Sequence, residues 1–477
     1  MKRVGTAVLC IVLLLLCVRV SAAETVGAAD WTSRCSFDFG AYESAERNVL
    51  HRAKNVQTFD AGASFSLTWA DGLNGARLCM QWRSMPEAVR VIQYDAKGAF
   101  LAGETLSPHP ETVTPLLPEA RRAVVQAGDA GMQLQIAAVY GPGERPDPFH
   151  DWQELPDRLD YLLIATHPDD DVLFLGSVVP VYGAEAGRVG TIAYVTCDNR
   201  TRMSEAENGA WAMGLRYRPV FFGLPDVRRE APQEQKDTFR YDELLLLTVR
   251  AYRSLRPLVV FAQDENGEYG HWQHILTSKA ARDAFALAAD PTYDPESAAA
   301  CGTWQVQKLF LHLYAENALE IDAHAPLSFF DGLDAWQVAR IAYQKHETQQ
   351  QYSFSVKRDD KPYAFNRFGM AEGVVEVGAD VFDNIDETLL SGYVPPPTPE
   401  PTEKPTPKPT AAPTGEPTEK PAPTPEPTAA PTKAPTPEPE PAAKADRRAP
   451  LLVLGIAAVV AAAAAIAWLT VGRARKR

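Results

Sequence analysis

A short acidic segment carries one histidine and three carboxylates, the residue types that bind a metal ion or move a proton. The segment reads Thr-His-Pro-Asp-Asp-Asp over residues 166–171, between an apolar stretch predicted as a buried strand and a predicted helix. Burying these charges costs free energy unless they pair with one another or bind a cation. His167 and Asp170 are three positions apart, so one turn of backbone can direct both side chains toward one point.

A pair of histidines follows another apolar stretch much later in the chain. His271 and His274 are also three positions apart, which places both on the same side of a helix start. Two histidines and one aspartate with an open fourth position make a catalytic zinc site, whereas a structural site is closed by a fourth protein ligand. Taken alone, an aspartate run commonly caps a helix and a His-x-x-His pair commonly faces solvent. Their joint placement after strand ends favours the metal site.

The elements that must position these residues alternate between strand and helix. Apolar runs predict strands at 161–165, 189–196, 220–222, 258–262 and 308–314, and periodic stretches predict helices at 171–184, 204–215, 241–255 and 272–288. This alternation predicts an α/β fold, a Rossmann-like and mostly parallel sheet with helices on both faces. Ligands of such sheets bind outside the carboxyl ends of the strands, where both motifs lie. Asp198 and Asn199 follow the second strand and are polar groups at the same edge.

An N-terminal region, residues 30–145, has a different pattern. Short strands are predicted at 64–69, 77–82, 88–95, 122–126 and 132–140, separated by turn residues. This pattern predicts an antiparallel β-sandwich, and its layout resembles the galactose-binding-like jelly-roll modules often attached to carbohydrate enzymes. We expect it to be a carbohydrate-binding module. Trp69 and Trp82 could stack on a sugar, but tryptophans in a sandwich are more often core residues.

The two motifs resemble those of the LmbE/PIG-L family of zinc-dependent N-acetylglucosaminyl deacetylases. The family's strand-end HPDD motif stands here at 167–171, and its later HPDH motif corresponds to His-Trp-Gln-His at 271–274. Its Arg-x-x-Glu helix resembles Arg202 to Glu205 with Met-Gly at 213–214, and Phe-Gly-Leu-Pro-Asp at 222–226 is similar to its next segment. The resemblance covers about 160–314 and extends to about 386, so a deacetylase domain is expected over 155–392.

The resemblance implies that His167, Asp170 and His274 hold Zn²⁺, or another divalent metal, and that Asp169 is the general base. A protonated His271 would then stabilise the oxyanion, and His271 or Asp169 would give a proton to the leaving amine; a plain helix-start role for His271 stays open.

Two positions depart from the family pattern. Trp272 and Gln273 replace proline and aspartate, and Gln273 cannot supply a carboxylate to a metal ligand. Arg202 either binds substrate or pairs with Glu205 or another carboxylate, and the sequence leaves both roles open.

The N-terminus predicts secretion. Lys2 and Arg3 precede an apolar run and small residues, which is the pattern of a signal peptide over residues 1–23. A lipid anchor on Cys17 is the alternative, but the bulky Leu16 disfavours it.

The C-terminal part predicts a membrane anchor. Residues 395–448 repeat proline and threonine and should form an extended stalk, although a proline-rich ligand is an open alternative. Residues 449–471 are apolar and uncharged, long enough to span a bilayer, and the basic tail at 472–477 should stay in the cytoplasm. The domains would then be extracellular at the cell membrane.

Charge and cysteine usage exclude other classes. The sequence has 47 Lys and Arg against 61 Asp and Glu, a net charge of −14 without a basic stripe, which argues against nucleic-acid binding. Four isolated cysteines follow the signal region, so a cysteine-ligated zinc site is disfavoured, and a disulfide between Cys35 and Cys79 is plausible.

We expect a cell-surface deacetylase of N-acetylglucosamine-type sugars or glycans. The alternatives are a non-catalytic glycan-binding protein and a zinc amidase or esterase with another substrate. Clustered charges argue against the binder, because a dead site has no reason to keep them.

Overall fold

A computed structural model describes residues 27–42, 44–50, 56–70, 73–197, 199–358 and 361–392. The predicted signal peptide, stalk, membrane helix and basic tail lie outside these ranges, as does Asp198. Within the described ranges, every helix is too short or too polar to cross a bilayer. The following elements belong to the unit that precedes residue 399.

Two antiparallel sheets in the described N-terminal region pack around a common apolar core. Their strands are β1 (Cys35–Asp38), β2 (Gln57–Phe59), β3 (Ser64–Trp69), β4 (Arg77–Trp82), β5 (Arg90–Tyr94), β6 (Phe100–Thr105), β7 (Glu111–Pro115), β8 (Arg122–Gln126) and β9 (Met132–Tyr140). One sheet has the order β1-β3-β8-β5-β6 and the other the order β2-β9-β4-β7. Alternate residues of β3 and β4 face the shared core, as period-two patterning requires. The predicted sandwich is confirmed.

The second part of the described chain forms a mixed sheet of order β12-β11-β10-β13-β14-β16-β15. Its strands are β10 (Leu159–Ala165), β11 (Gly190–Thr196), β12 (Val220–Leu224), β13 (Pro257–Ala262), β14 (Lys308–His312), β15 (Ala318–Glu320) and β16 (Arg367–Gly373). Neighbours among β10 to β14 are parallel, and β16 pairs antiparallel with β14 and β15. The predicted mostly parallel sheet is therefore confirmed, with antiparallel strands at one edge.

Helices cover this mixed sheet, and one short helix belongs to the sandwich. The helices are α1 (Ala45–Val49), α2 (Asp170–Leu173), α3 (Arg200–Ala212), α4 (Gln233–Lys236), α5 (Tyr241–Leu255), α6 (Trp272–Leu287), α7 (Pro295–Cys301) and α8 (Ala335–Tyr343). A π-helix spans Val179–Glu185, and 3₁₀ turns lie at Thr32–Arg34, Glu268–Gly270, Ser328–Phe330, Glu347–Gln349 and Glu387–Leu389. Separate buried clusters on the two faces of the sheet show that both faces are covered.

The prediction of one helix over 171–184 is wrong. The chain forms α2, leaves the helical path and resumes as the π-helix at Val179. A side chain at Gly176 would meet the Val172 carbonyl oxygen at 2.3 Å, so only glycine permits this close approach. Pro180 then lacks the N–H that a continuous helix would need.

Two sequence interpretations of the sandwich are resolved. Trp69 and Trp82 are buried, with 7% and 0% of their surface exposed, so they are core residues and cannot stack on a sugar. The Cys35–Cys79 disulfide is wrong, because both are free thiols. Cys35 packs against the core between the two sheets, whereas Cys79 lies on the opposite face of its sheet beside Ala138.

A buried polar contact joins the sandwich to the α/β part. Glu111 on β7 accepts hydrogen bonds from Ser204 Oγ on α3 at 2.8 Å and from Gln81 at 3.1 Å. Glu207, one helical turn further on, is 1% exposed, and its carboxylate reaches Arg218 Nε at 3.7 Å, too far for a hydrogen bond. Burial raises the pKa of Glu207 to about 7.

Replacing Glu207 with glutamine should stabilise the protein above pH 7. The folded-state pKa of Glu207 lies above its unfolded value, so the folded chain binds the extra proton and stability falls as pH rises from about 4.5 through 7. We expect the free energy of unfolding of Glu207→Gln to exceed that of the wild type at pH 8 by on the order of 1 to 3 kcal/mol, with a smaller gain at pH 5. Calorimetry at both pH values measures this, and Glu234→Gln on an exposed turn of α4 is the control. A loss of stability at pH 8 would mean that Glu207 is held by Arg218.

Candidate metal centre

The order of the strands brings the two sequence motifs together. β10 pairs in parallel with both β11 and β13. Strands β11 and β12 are therefore added to one side of β10, and strands β13 and β14 to its other side. The carboxyl ends of β10 and β13 therefore lie side by side at a switch point, the usual ligand site of such sheets. Gln263 after β13 holds this edge, because its Oε1 accepts hydrogen bonds from the Thr166 N–H at 2.7 Å and the Thr166 hydroxyl at 2.6 Å.

Three donor atoms converge at this edge. His167 Nδ1 lies 3.1 Å from Asp170 Oδ2 and 3.1 Å from His274 Nε2, and His274 Nε2 lies 3.2 Å from Asp170 Oδ2. All three side chains are buried, with 8% of His167, 2% of Asp170 and none of His274 exposed. The side chains form a nearly equilateral triangle of nitrogen, nitrogen and oxygen.

The hydrogen bonds on the far sides of the two imidazoles fix their tautomers. His274 Nδ1 lies 2.6 Å from Glu268 Oε2, so Nδ1 donates to that carboxylate and Nε2 is the atom that faces the triangle, where a metal ion would displace a second proton. His167 Nε2 lies 3.1 Å from Gln273 Oε1, so His167 presents its Nδ1 lone pair in the same way. The Gln273 amide is oriented by the Val227 N–H, which donates to its Oε1, and by the Pro225 carbonyl, which accepts from its Nε2.

Three lone pairs aimed at one point repel one another unless a cation lies between them. The two-imidazole, one-carboxylate set suits Zn²⁺ and related divalent metals, and ligand atoms about 2.0–2.2 Å from a metal lie close to the spacing seen here. The residues present therefore fit a divalent cation. His271 belongs to the same group, since the ring nitrogens of His167, His271 and His274 lie within 4.8 Å of one another.

The charges of the cluster are strongly coupled. Burial opposes ionisation of Asp170, but the nearby His274 and His167 rings hold its pKa well below the usual range. Burial would likewise lower the pKa of His274, yet the Asp170 and Glu268 carboxylates together raise it to about 10. This electrostatic field attracts positive charge to the triangle.

Glu268 is a residue of the site that sequence reasoning missed. It is fully buried, and its two oxygens face His274 Nδ1 at 2.6 Å and His312 Nδ1 at 2.7 Å. His312 ends β14, and its other ring nitrogen lies 2.9 Å from the Ala364 carbonyl. Glu268 thus supplies to His274 the carboxylate that Gln273 lacks. The neutral amide of Gln273 orients His167. An acidic residue six positions before His274 was the available signal.

Asp169 adjoins the triangle in a strained backbone conformation. Its φ of +117° is unusual for a residue with a side chain, and the Asp171 carboxylate accepts from the Asp169 N–H at 3.2 Å. Arg202 donates to Asp169 Oδ1 at 3.2 Å and also to the Pro168 carbonyl. Burial and the negative charge of Asp170 raise the pKa of Asp169 well above the usual range, against the opposing effect of Arg202. The site thus holds a buried carboxylate with high proton affinity.

Arg202 is therefore paired with Asp169, and its contact with Glu205 is the longer one, 3.9 Å from Nε to Oε2. Glu205 instead accepts two hydrogen bonds from Thr348, from the N–H and from the hydroxyl, each at 2.7 Å. Both roles considered for Arg202 retain support, because its side chain also lines the adjacent cavity.

His271 caps helix α6 and remains neutral. Its Nδ1 accepts the Gln273 N–H at 3.3 Å, which leaves the hydrogen on Nε2. Burial and the neighbouring His167 and His274 lower the pKa of His271 to about 3. The catalytic role of His271 stays a prediction, and the low pKa favours a neutral imidazole that can still donate from Nε2. The plain helix-start interpretation is correct for Nδ1 and leaves Nε2 available.

A cavity of about 210 Å³ opens beside Pro168 and Arg202, and Arg202 also binds Asp169. Its wall includes Asn199, which caps α3 by accepting the Thr201 N–H at 2.9 Å, and Asp226 from the segment after β12. The remaining lining is mostly polar and comprises Pro168, Thr196, Cys197, Arg202, Thr348, Gln349 and Gln351. A hydroxyl-rich ligand would find hydrogen-bonding partners throughout this space.

Comparison with known proteins identifies the part of the chain that carries this site. The family described as PIG-L: GlcNAc-PI de-N-acetylase matches residues 162–285, which include both histidine motifs. These matched residues are called the PIG-L region below. They hold the complete donor triangle, Asp169 and Glu268, whereas His312 and the Thr348 segment lie beyond the matched residues.

Curated proteins are also similar to this part of the chain. A 1D-myo-inositol 2-acetamido-2-deoxy-alpha-D-glucopyranoside deacetylase 1 of Catenulispora acidiphila is 30% identical over 186 residues, covering 33% of this chain and 57% of that protein. A 1D-myo-inositol 2-acetamido-2-deoxy-alpha-D-glucopyranoside deacetylase from Thermobifida fusca is 26% identical over 247 residues, covering 39% of this chain and 82% of that protein. The chain thus spans little more than half the length of the first of these relatives.

Among solved structures, the N,N'-diacetylchitobiose deacetylase from Pyrococcus horikoshii aligns with a TM-score of 0.30 and 18% identity, covering 43% of this chain and 72% of that one.

Proposed function

We propose that this protein is a zinc-dependent hydrolase that removes N-acetyl groups from N-acetylglucosamine-type sugars or glycoconjugates. The observation that carries the proposal is the convergence of three lone pairs, from His167, Asp170 and His274, beside the buried carboxylate of Asp169. The relatives of the PIG-L region are named as deacetylases of an acetamido sugar, which supports the same chemistry.

His167, Asp170 and His274 would hold the metal. A bound divalent cation supplies Lewis acidity, which polarises an amide carbonyl and makes a water molecule more acidic. Asp169 would accept the proton of that water, and the raised proton affinity of its carboxylate suits this task. Arg202 would keep Asp169 in position through its 3.2 Å contact.

His271 is proposed as the donor to the developing oxyanion. Its Nε2–H is free of the capping interaction that occupies Nδ1, and the ring lies 4.7 Å from His167 and 4.7 Å from His274, measured between centroids. A neutral donor aimed at the reacting carbonyl stabilises negative charge as it forms. The leaving amine would take its proton from Asp169, which has received one from water.

The substrate proposal rests on the polar cavity that Pro168 and Arg202 line. Asn199, Asp226 and Gln349 offer both donors and acceptors there, as sugar hydroxyls require. Arg202 would contribute to substrate binding from the same wall. A zinc amidase or esterase acting on another small polar substrate shares these features and is separated by the substrate panel below.

We further propose an extracellular location at the cell membrane. The signal-like N-terminus, the proline-threonine tract and the apolar segment with its basic tail support a single-pass anchor. We propose that the sandwich is a jelly-roll-like module. In this arrangement it would hold a glycan near the deacetylase. Fractionation of the expressing cells and protease accessibility of the sandwich test this assignment.

Acetate release tests the activity. The zinc-loaded full-length chain should release acetate from N-acetylglucosamine or its β-linked oligomers, and a chelator should remove this activity until Zn²⁺ is restored, because the three donor atoms converge on one point. An enzymatic acetate assay across a panel of acetylated sugars, amides and esters provides the measurement. A preparation that binds no metal and releases no acetate from the panel would favour the non-catalytic glycan binder. Acetate release from the amides or esters alone would mean that the protein is an amidase or esterase that does not act on acetylated sugars.

A further inference from the structure

A series of aromatic rings runs from the metal centre to the surface. The Tyr269 ring packs against His274 at 5.6 Å and against His271 at 5.8 Å between centroids. Phe354 lies 5.6 Å from Tyr269, and Tyr352 lies 6.4 Å from Phe354. We call Tyr269, Phe354 and Tyr352 the aromatic ridge.

The outer part of the ridge is exposed. Phe354 is 42% exposed and Tyr352 is 51% exposed, although large aromatic side chains usually gain free energy by burial. Single exposed apolar residues are ordinary, but two exposed rings continuous with the partly buried Tyr269 ring, which contacts His271 and His274, form one connected aromatic surface. The aromatic ridge thus extends the proposed active site to the protein surface.

The segment that carries the outer rings is held in place. Residues 347–354, here called the strap, are anchored by Glu205, which accepts both hydrogen bonds from Thr348. Gln350 Nε2 further donates to the Tyr343 carbonyl at 2.8 Å and to the His346 carbonyl at 3.1 Å. The exposed rings are therefore presented by a fixed segment.

The strap also forms the wall of the polar cavity. Thr348, Gln349 and Gln351 line that cavity together with Asp226 and Asn199, whereas Phe354 and Tyr352 continue the same strap outward. One segment thus offers amides to a sugar in the cavity and ring faces beyond it. Flat apolar rings bordered by amides match pyranose sugars, which have apolar C–H faces and polar hydroxyl edges.

The backbone conformation of Tyr269 and its contacts with Arg229 define the position of Tyr269 at the inner end of the ridge. Its φ of +46° is unusual for an aromatic residue, and Arg229 donates to its carbonyl oxygen at 2.7 Å while the guanidinium lies 5.8 Å from its ring. The ring at the metal centre therefore has a defined position from which the ridge extends.

We propose that the aromatic ridge binds sugar units attached to the acetylated sugar, so that the substrate is an oligosaccharide or longer glycan. This inference rests on the proposed deacetylase function and deepens it by naming the substrate class. The acetylated unit would occupy the polar cavity, and adjoining pyranose rings would stack on Phe354 and Tyr352.

The test compares chain lengths on the zinc-loaded full-length protein. The wild type should have a higher kcat/KM for tetra-N-acetylchitotetraose than for N-acetylglucosamine. Phe354→Ala and Tyr352→Ala should each lower this tetramer-to-monomer ratio about threefold to tenfold. Phe354→Trp, which keeps a ring, should preserve the ratio. Phe329→Ala removes an aromatic side chain that is also exposed, 47%, but lies outside the ridge, and should leave the ratio unchanged.

A binding experiment separates this inference from the activity itself. In an Asp169→Asn background, calorimetric titration with the tetramer and the monomer should show tighter binding of the tetramer, weakened by Phe354→Ala. Equal affinities, or a tetramer preference that survives both alanine substitutions, would overturn the ridge proposal even if acetate is released. Absence of acetate release by the wild type together with tetramer-selective binding would overturn the deacetylase proposal and leave the ridge as a glycan site.

Discussion

Replacing Asp169 with asparagine is expected to lower acetate release by about 10² to 10⁴-fold without loss of bound metal. The asparagine side chain would retain the size of the aspartate but could not accept a proton. Asp169 also contributes none of the three converging donor atoms. The metal affinity that His167, Asp170 and His274 provide should therefore persist.

The control for this substitution must match its backbone. Asp169 has a φ of +117°, and Asp331 on an exposed turn has a φ of +53°, so both are left-handed positions that asparagine tolerates. Asp331→Asn should leave both metal content and acetate release unchanged. Metal content by elemental analysis and turnover by acetate assay are measured on the same preparations.

Two results would contradict the role of Asp169. Acetate release by Asp169→Asn equal to that of the wild type would mean that another group accepts the proton. Loss of metal together with activity would make Asp169 part of the metal set, and the assignment of His167, Asp170 and His274 as the complete protein ligand set would be wrong.

Replacing Glu268 with glutamine should weaken metal binding about tenfold to a hundredfold. The Glu268 carboxylate lies 2.6 Å from His274 Nδ1, where its negative charge raises the electron density of the ring and fixes its orientation. Glutamine would keep an acceptor oxygen but remove the charge. Burial opposes ionisation of Glu268, yet hydrogen bonds from His274 and His312 lower its pKa to about 2, so the wild-type residue is an anion.

The measurement is the dissociation constant for Zn²⁺ by competition with a chelator of known affinity. Glu265→Gln, three residues earlier in an exposed ion pair with Arg282, is the matched control and should bind Zn²⁺ as the wild type does. Equal Zn²⁺ dissociation constants for the wild type and Glu268→Gln would show that the charge of Glu268 contributes nothing to the site. Circular dichroism of each variant confirms that the fold is intact.

These two substitutions separate what local sequence patterns can and cannot reveal. Asp169 belongs to a contiguous run after an apolar strand, so its type, its place at the sheet edge and its neighbours are all local features. Glu268 acts through His274 and through His312, which is 44 positions away in the chain. No spacing rule links those residues, because their contact depends on β14 lying next to β13.

The departure at Gln273 shows the same division. From the sequence, Gln273 could not supply a carboxylate to a metal ligand at this position. In the folded chain Gln273 is completely buried, and it orients His167 through a hydrogen bond at 3.1 Å. The carboxylate at this site is that of Glu268, and it contacts His274 and not His167. This arrangement is visible only when side chains distant in the chain are brought together.

The sequence by itself determined the sandwich and the mostly parallel sheet, because hydrophobic periodicity is a local property. It also placed both histidine motifs at the sheet edge, and the resemblance to the LmbE/PIG-L family implied which of their residues form the donor triangle. Strands β3, β4, β8 and β9 begin and end where the pattern predicts. The tertiary structure alone decided which imidazole nitrogen faces the metal position, which carboxylate supports it, and that Tyr269 connects the site to the exposed strap. These features are contacts between segments far apart in the chain, and packing at the β10–β13 switch point selects them.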